Sequence, residues 1–320
     1  MPSFSTHHIF ARSVEDQVMD KDRSLNFSKS AFYHGTQGPD FLFTHRVWRL
    51  AWGGETLKEL GTALHHCNPS KMFALMKEYL ENEPCDRDIV KSYIYGFLCH
   101  YALDRNAHPL IYAIQEELTK AHGLENQIGL TVHNQIEYNI DTMMIKNELG
   151  YSSGLVFNNA ATLDSNPYLI DEMAGLMAYV VQKMNLGDAT KEDIATAYND
   201  MIFSMKMLHD PVGIKRKILG VLQLPIKKKI GPLFVGMVRQ TDCDNEWDYM
   251  NITHKEWAMP YDKSRKSTES FMDLYRKAQI DIMNLIDAFN SDDPQKAIEE
   301  LTGNMSFDTG LRYDITEPIA

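Results

Sequence analysis

Metal-type ligands spaced four residues apart place the strongest constraint on how this chain folds. His100, Asp104 and His108 follow one another at steps of four, and His133 and Glu137 repeat that step further along. Residues four apart lie one turn above each other on the same face of an α-helix. The spacing therefore predicts two helices that each present a stripe of imidazole and carboxylate groups.

The apolar residues around these ligands also favour helices. Between residues 87 and 106 they recur at intervals of three and four, which is typical of a packed helix. A similar pattern surrounds His133 and consists of Ile128, Val132, Ile136, Ile140 and Met144. We therefore expect His100 and Asp104 to lie near the core-facing side of the first helix, with a second helix close by.

The spacing alone is weak evidence for a metal site. Twelve histidines and 44 acidic residues among 320 positions give about 1.6 His-x-x-x-Asp/Glu pairs by chance. The protein contains two such pairs, but one of them is extended by a further step of four residues to give the triplet at 100, 104 and 108. Because zinc accepts imidazole nitrogen and carboxylate oxygen, the triplet and the second pair together predict a zinc site between helices.

Five short segments around these ligands occur in a recognisable order. They are MPSFSTH at residues 1–7, HGTQGPD at 34–40, GTALH at 61–65, GFLCHYALDRNAHP at 96–109 and HNQIE at 133–137. Together they resemble the bacterial zinc-dependent phospholipase C family, by motif over residues 1–150 and by helical pattern over the remainder. The ordered series is a specific signal, whereas any one segment alone is weak.

The resemblance implies a set of zinc ligands. The first ion would be held by Asp40, His65, His100 and Asp104, and the second by His108, His133 and Glu137. A third ion would share Asp104 and take His7. His66 directly follows His65, and the leucine before His65 favours the earlier histidine as the ligand.

The N-terminus departs from the family pattern. Secreted relatives use a processed N-terminal tryptophan whose amine and carbonyl help to hold the third ion, whereas this chain has Met1 and Pro2 before His7. This departure predicts a third ion that is weak, differently ligated or absent. We expect two zinc ions and leave the third open.

The resemblance also implies a fold and an activity. The fold would be all-α, a single multi-helix domain over residues 1–320 with the ligands in 1–150 and further helices in 151–320. The activity would be zinc-dependent phosphodiester hydrolysis, with phospholipase C-like cleavage of a glycerophospholipid by metal-activated water as the leading hypothesis. Asp40 would be both a ligand and the catalytic carboxylate that orients or deprotonates the water. Phe41 matches a family position where an aromatic ring lies beside the substrate headgroup.

Apolar periodicity predicts an almost wholly helical chain. The predicted helices cover residues 7–20, 40–51, 55–66, 69–81, 87–105, 108–121, 124–148, 168–185, 190–209, 213–222, 263–290 and 294–302. Asn-Pro at 68–69 and at 166–167 marks two helix starts, because proline fits the first helical turn. Alternating β-branched runs are few, so no sheet is expected. Residues 213–262 are interpreted as a lid or interface segment.

Composition limits the classes of function. Hydrophobic residues make up 44% of the chain and no Pro/Gly/Ser linker divides it, which predicts one globular domain. The formal net charge of −12 argues against a general affinity for nucleic acid. No signal segment and no apolar run of membrane-spanning length is evident in the sequence. We therefore expect a cytoplasmic protein, with secretion by another route left open.

A local basic patch contrasts with this negative charge. Lys215, Arg216 and Lys217 precede an apolar run, and residues 227–229 are three further lysines. Cations that flank apolar residues bind lipid surfaces by contacting phosphate headgroups. Peripheral membrane contact through residues 215–229 is one hypothesis, and a short helix with solvated ends that packs on the domain is the other.

Two alternative functions and one further candidate residue stay open. A single-strand-specific zinc nuclease has a closely similar ligand series, and aromatic stacking of bases would suit it. A non-catalytic, metal-stabilised module that binds a phosphate-bearing ligand would suit the altered N-terminus. His34 lies in the same HGTQGPD turn as Asp40 and is an additional candidate for the site.

Overall fold

Helices form nearly all of the regular structure in the computed structural model, which describes residues 4–47, 56–121, 129–151, 157–215, 217–218, 242–243 and 247–315. The α-helices are α1 Phe4–Lys21, α2 Lys29–Gly35, α3 Lys58–His65, α4 Pro69–Asn82, α5 Arg87–Ala121, α6 Gly129–Leu149, α7 Pro167–Met184, α8 Lys191–Leu208, α9 Phe271–Asn290 and α10 Pro294–Thr302. Two 3-10 helices cover Gly38–Thr44 and Asn159–Thr162. The all-α prediction is confirmed.

Local sequence signals explain where several helices begin. The Asn68 side chain accepts a hydrogen bond from the backbone at the start of α4, and Asn166 does the same for α7. In both cases proline follows at the first helical position, where its missing N–H has no intrahelical partner to lose. Ser270 and Asp273 form a reciprocal capping box at the start of α9.

The long helix α5 lies at the centre of the fold. It packs against α2, α6 and α9, while α1 packs against α6 and α9, and α10 against α4 and α9. The sequence predicted two helices here, over 87–105 and 108–121, but α5 continues through Pro109. Ala107, His108 and Leu110 are all buried around the proline. Packing on both sides therefore outweighs the local cost of a proline inside a helix.

Two glycines bring α2 and α5 into backbone contact. A Cβ atom on Gly35 would lie 2.0 Å from the Tyr93 carbonyl oxygen, and one on Gly96 would lie 2.0 Å from the Phe32 carbonyl oxygen. Any larger side chain at either position would push the two helices apart. The close approach holds the segment after α2, which carries Asp40, against α5.

A short β-hairpin replaces the start of one predicted helix. Strand β1, Trp257–Met259, pairs antiparallel with β2, Asp262–Ser267. The predictions of no sheet and of a helix beginning at 263 are therefore wrong, since α9 begins at Phe271. The physical reason is that β2 consists of polar, mostly exposed residues without a helical apolar stripe. Trp257 is buried and its indole Nε1 donates to the Glu269 carbonyl at 3.0 Å, which anchors the hairpin.

Two other predictions fall partly outside the described residues. The helix predicted over 40–51 is the 3-10 helix Gly38–Thr44, and residues 48–55 are not described. Half of the helix predicted over 213–222, namely residue 216 and residues 219–222, and the lysines at 227–229 also lie outside the described residues. Of the predicted membrane-contact patch, the exposed Lys215 donates to the carbonyls of Met207 and His209 at the end of α8. None of the described helices is both long and apolar enough to cross a membrane.

Substituting Gly96 should destabilise the fold more than substituting a glycine whose nearest neighbour is the end of a side chain. In Gly96→Ala the new methyl group meets backbone, so we expect a loss of about 3 kcal/mol, the upper end of overpacking costs. Gly175→Ala is the matched control, because its nearest neighbour is the Tyr79 hydroxyl at 2.7 Å, the far end of a side chain that can turn aside. Denaturant unfolding measures both, and equal midpoints would contradict the close helix contact.

Candidate metal centre

The structure brings the eight predicted ligands together in three groups of three. The groups are His7, His100 and Asp104; Asp40, His65 and His100; and His108, His133 and Glu137. Within each group the ligand atoms lie within 4.8 Å of one another. We call the eight residues the ligand cluster. His100 belongs to two of the groups, so the first two are joined through its imidazole.

Five elements that are far apart in sequence supply these side chains. The contributions are His7 from α1, Asp40 from the first 3-10 helix, His65 from the end of α3, three residues from α5, and His133 with Glu137 from α6. Seven of the eight residues are buried, and only the His133 side chain, at 13%, is partly exposed. The ligand cluster is therefore an interior feature that depends on how these elements pack.

Asp104 connects His7, His100 and His108. Its Oδ1 atom lies 3.1 Å from His7 Nε2, and its Oδ2 atom lies 2.9 Å from His100 Nε2 and 3.7 Å from His108 Nδ1. Burial alone would raise the pKa of this carboxyl, but the charges of the three imidazoles hold the pKa well below its usual range. Asp104 is therefore an anion in the protein interior.

Asp40 presents a second buried carboxylate to His65. Its Oδ1 atom is 3.2 Å from His65 Nε2, and neither of its oxygens has a hydrogen-bond partner among the described residues. Burial opposes protonation of His65, but contact with Asp40 and the charge of Asp308 raise its pKa to about 9. The carboxylates thus give this group a strong preference for positive charge.

The third group is formed at the junction of α5 and α6. Glu137 Oε1 lies 3.1 Å from His133 Nε2 and 3.5 Å from His108 Nε2. The two imidazole rings stack with centroids 5.6 Å apart. Burial would raise the pKa of Glu137, yet the neighbouring imidazoles lower it below its usual range. Two nitrogens and one ionised carboxylate therefore converge on one point.

Oxygen atoms fix the orientation of four of the imidazoles. His65 Nδ1 contacts the Gly61 carbonyl at 2.8 Å, His100 Nδ1 the Thr36 carbonyl at 3.2 Å, His108 Nδ1 the Phe307 carbonyl at 3.0 Å, and His133 Nδ1 the Gln115 amide oxygen at 2.9 Å. Because these oxygens only accept hydrogen bonds, each Nδ1 is the protonated donor. This leaves Nε2 of all four rings for a metal, which is the usual arrangement around zinc-binding histidines.

Several atoms of the ligand cluster lack a hydrogen-bond partner among the described residues. They are His7 Nδ1, both Asp40 oxygens, His100 Nε2, Asp104 Oδ2 and Glu137 Oε2. Buried polar atoms are normally paired, and leaving them unpaired is costly. Their concentration on nitrogen and carboxylate donors fits zinc, which accepts this donor set. The residues present therefore suit zinc.

Asp141 positions the start of α1 and with it His7. It lies one turn beyond Glu137 on α6 and is 1% exposed. Its Oδ1 atom accepts hydrogen bonds from the Thr6 amide at 2.8 Å and the Thr6 hydroxyl at 2.6 Å, and its Oδ2 atom accepts from the Ser5 amide at 3.3 Å. A carboxylate at a helix N-terminus is favourable because it satisfies free N–H groups. The same face of α6 thus carries His133 and Glu137 of the third group and anchors α1, which supplies His7 to the first group.

Three other candidates lie outside the groups. His66 is 43% exposed and faces Asp308 at 3.5 Å, so the structure brings His65 and not His66 to Asp40. His34 is buried, its Nε2 contacts the Asp164 carbonyl at 2.7 Å, and burial lowers its pKa to about 4. Phe41 is 1% exposed and its ring stacks on Tyr198 with centroids 4.0 Å apart, which places it in the core.

The atoms that hold the ligands in place were not predicted from the sequence. Carbonyl oxygens such as those of Thr36 and Phe307 belong to the backbone, which every residue offers, so the sequence carries no signal for them. Asp141 was identifiable only as a further step of four after His133 and Glu137. Asp308 is 171 residues beyond Glu137, and no local pattern relates the two.

Zinc binding should release protons near neutral pH. Burial opposes protonation, but the nearby carboxylates raise the pKa of His65 to about 9 and also raise those of His7 and His108 in the metal-free protein. Zinc binds only the deprotonated imidazole, so its affinity should rise with pH until these groups have lost their protons. Calorimetric titrations in buffers of different ionisation enthalpy count the protons released. Zinc affinity that is independent of pH between 6.5 and 9 would contradict this electrostatic description.

Comparison with known proteins agrees with the geometry. A sequence model of the family described as zinc-dependent phospholipase C matches residues 6–185, which is more than half of the chain. All eight members of the ligand cluster lie within this range, whereas the hairpin, α9 and α10 lie beyond it. No significant match was found among curated proteins or among solved structures. The resemblance drawn from the ordered sequence segments is confirmed.

Proposed function

The chain belongs to the zinc-dependent phospholipase C family, and we propose that it is a zinc-dependent phosphodiester hydrolase whose substrate is a glycerophospholipid. Cleavage on the glycerol side of the phosphate would release diacylglycerol and a phosphorylated headgroup. The observation that carries the proposal is the convergence of eight imidazole and carboxylate ligands from five elements. A zinc site that only stabilises a fold needs no more than four protein ligands around a single ion with no open coordination position.

We propose one zinc ion in each of the three groups. The first two groups would hold neighbouring ions that share the Asp104 carboxylate, because the single free nitrogen of His100 can bind only one ion. The group on α5 and α6 would hold another ion. Zinc supplies positive charge to stabilise phosphate oxygens and lowers the pKa of water toward neutrality. Burial of the ligands strengthens every electrostatic interaction in the site, because the interior screens charge less than water does.

Asp40 is our candidate for the catalytic carboxylate. Both of its oxygens lack a hydrogen-bond partner among the described residues, so one is available to a metal and the other to a water molecule. It would orient the attacking water and accept its proton as the phosphodiester bond breaks. Because Phe41 is buried against Tyr198, we propose that it fixes the backbone next to Asp40 and does not contact the headgroup.

The Asp40→Asn variant tests the catalytic role. Asparagine keeps one oxygen for a metal but cannot accept a proton, so kcat should fall by about 10²- to 10⁴-fold while zinc remains bound. The assay measures diacylglycerol and phosphorylated headgroup released from phosphatidylcholine. Asp188→Asn, which changes an exposed carboxylate in the same way, is the matched control and should retain wild-type activity. An Asp40→Asn enzyme with wild-type kcat would exclude Asp40 as the base.

Zinc content should depend on which ligand is removed. The two Asp104 oxygens contact His7 and His100 separately, whereas His133 has one free nitrogen, so Asp104→Ala should lose about two zinc equivalents and His133→Ala about one. His34→Gln is the matched control, because His34 is equally buried but belongs to none of the groups. Elemental analysis of protein purified without chelators gives the count. Equal losses in the Asp104 and His133 variants would contradict the shared role of Asp104.

The same assays separate the phospholipase proposal from its alternatives. Hydrolysis of single-stranded DNA in place of phospholipid would favour the zinc nuclease, which the net charge of −12 disfavours. Full zinc content without turnover of either substrate would favour a binding module. Turnover of phospholipid alone is the result that we expect.

A further inference from the structure

A turn near the C-terminus contacts the ligand cluster from outside the range matched by the family. The C-terminal turn comprises residues 303–311 and follows α10. The buried ring of Phe307 packs against His65 and His100, with centroids 5.6 and 5.9 Å apart. The Phe307 carbonyl accepts the hydrogen bond from His108 Nδ1 at 3.0 Å. One residue of this turn thus touches a histidine in each of the three groups.

Asp308 adds a carboxylate next to that carbonyl. Its Oδ1 atom lies 3.6 Å from His108 Nδ1, and its Oδ2 atom lies 3.5 Å from His66 Nε2. The side chain is 16% exposed. Among the described residues its ion-pair partners are these two imidazoles, and no lysine or arginine is one of them. Asp308 is therefore not part of an ordinary surface salt bridge.

The C-terminal turn is held in place by its own contacts. The Ser306 hydroxyl accepts a hydrogen bond from the Asp308 amide at 3.1 Å, and the Ser306 amide donates to the Leu311 carbonyl at 2.7 Å. Gly310 has φ +68, and a Cβ atom there would lie 2.7 Å from the Pro109 ring. Because Pro109 directly follows His108, this fit fixes the turn beside the imidazole that it contacts. The backbone conformation of the turn thus fixes the position of the Asp308 carboxylate.

We propose that Asp308 is a positioning residue for the metal centre, acting on His108 together with the Phe307 carbonyl. A carboxylate near the N–H of a metal-binding imidazole orients the ring and makes its other nitrogen a stronger ligand. The Nδ1 side of His108 faces Asp308, whereas its Nε2 faces Glu137 at 3.5 Å. The inference rests on the proposed zinc cluster but not on phospholipid as the substrate.

A direct role on substrate suits Asp308 less well. A phosphodiester is an anion, and a carboxylate beside it would repel it. The same carboxylate is favourable behind an imidazole whose far side binds a cation, since it stabilises positive charge on the ring. Asp308 therefore acts through His108. The consequence is that the segment beyond the family match helps to build the metal centre of this chain.

Zinc affinity of the full-length chain provides the test. Asp308→Asn should weaken binding of one zinc ion about 10- to 100-fold in chelator competition, the usual effect of removing such a partner. Asp308→Glu should recover part of the affinity. Asp314→Asn is the matched control, because Asp314 is 46% exposed and pairs with Arg312 at 3.0 Å, away from the ligand cluster. The absorption spectrum of cobalt-substituted protein should change in Asp308→Asn and not in the control.

Two results would overturn the proposal. One is wild-type affinity for every zinc ion in Asp308→Asn. The other is a loss of thermal stability in the metal-free Asp308→Asn protein as large as in the zinc-loaded protein, which would make the role merely structural. Neither readout depends on hydrolysis, so a chain that binds zinc but leaves phospholipid intact would overturn the proposed function alone.

Discussion

The buried carboxylate of Asp104 is the charge on which the rest of the structure depends. An unpaired ion in a protein interior costs several kcal/mol, even after the surroundings relax. Asp104 avoids this cost because imidazoles from α1 and from both adjacent turns of α5 surround it. Asp40 and Glu137 repeat the arrangement nearby, each next to an imidazole. The helices that supply the ligands are therefore packed around buried carboxylates, which are stable only next to positively charged groups or metal ions.

Precise packing is what keeps these side chains within reach of one another. Gly35 and Gly96 allow α2 to contact α5 directly, which brings the Thr36 carbonyl to His100. Asp141 holds the first turn of α1 so that His7 lies beside Asp104. The Phe307 ring packs against His65 and His100. A metal cluster with ligands from five elements is only as well defined as these contacts, because small displacements of a helix move its ligands.

Helix spacing predicted the local features of the site, the family resemblance supplied the long-range grouping of the ligands, and neither identified the atoms that support them. The step of four residues on α5 and α6 follows from helix geometry, so the triplet at His100 and the pair at His133 were identifiable. The grouping of His7 with His100 depends on how α1 crosses α5, which no local pattern encodes. The contacts of backbone carbonyls and of Asp308 also result from tertiary packing. In the continuous helix through Pro109, burial decided the structure against local propensity. In the hairpin at Trp257, the polar and mostly exposed residues of β2 lack the apolar stripe that a helix would need.

The central claim is that the three groups of the ligand cluster each bind zinc. Anomalous diffraction at the zinc absorption edge, from crystals of the zinc-loaded full-length chain, tests it most directly. One peak is expected inside each of the three groups, with the Asp104 carboxylate lying between two of them. No peak within the ligand cluster, or a single peak with the remaining ligands turned away from it, would contradict the account.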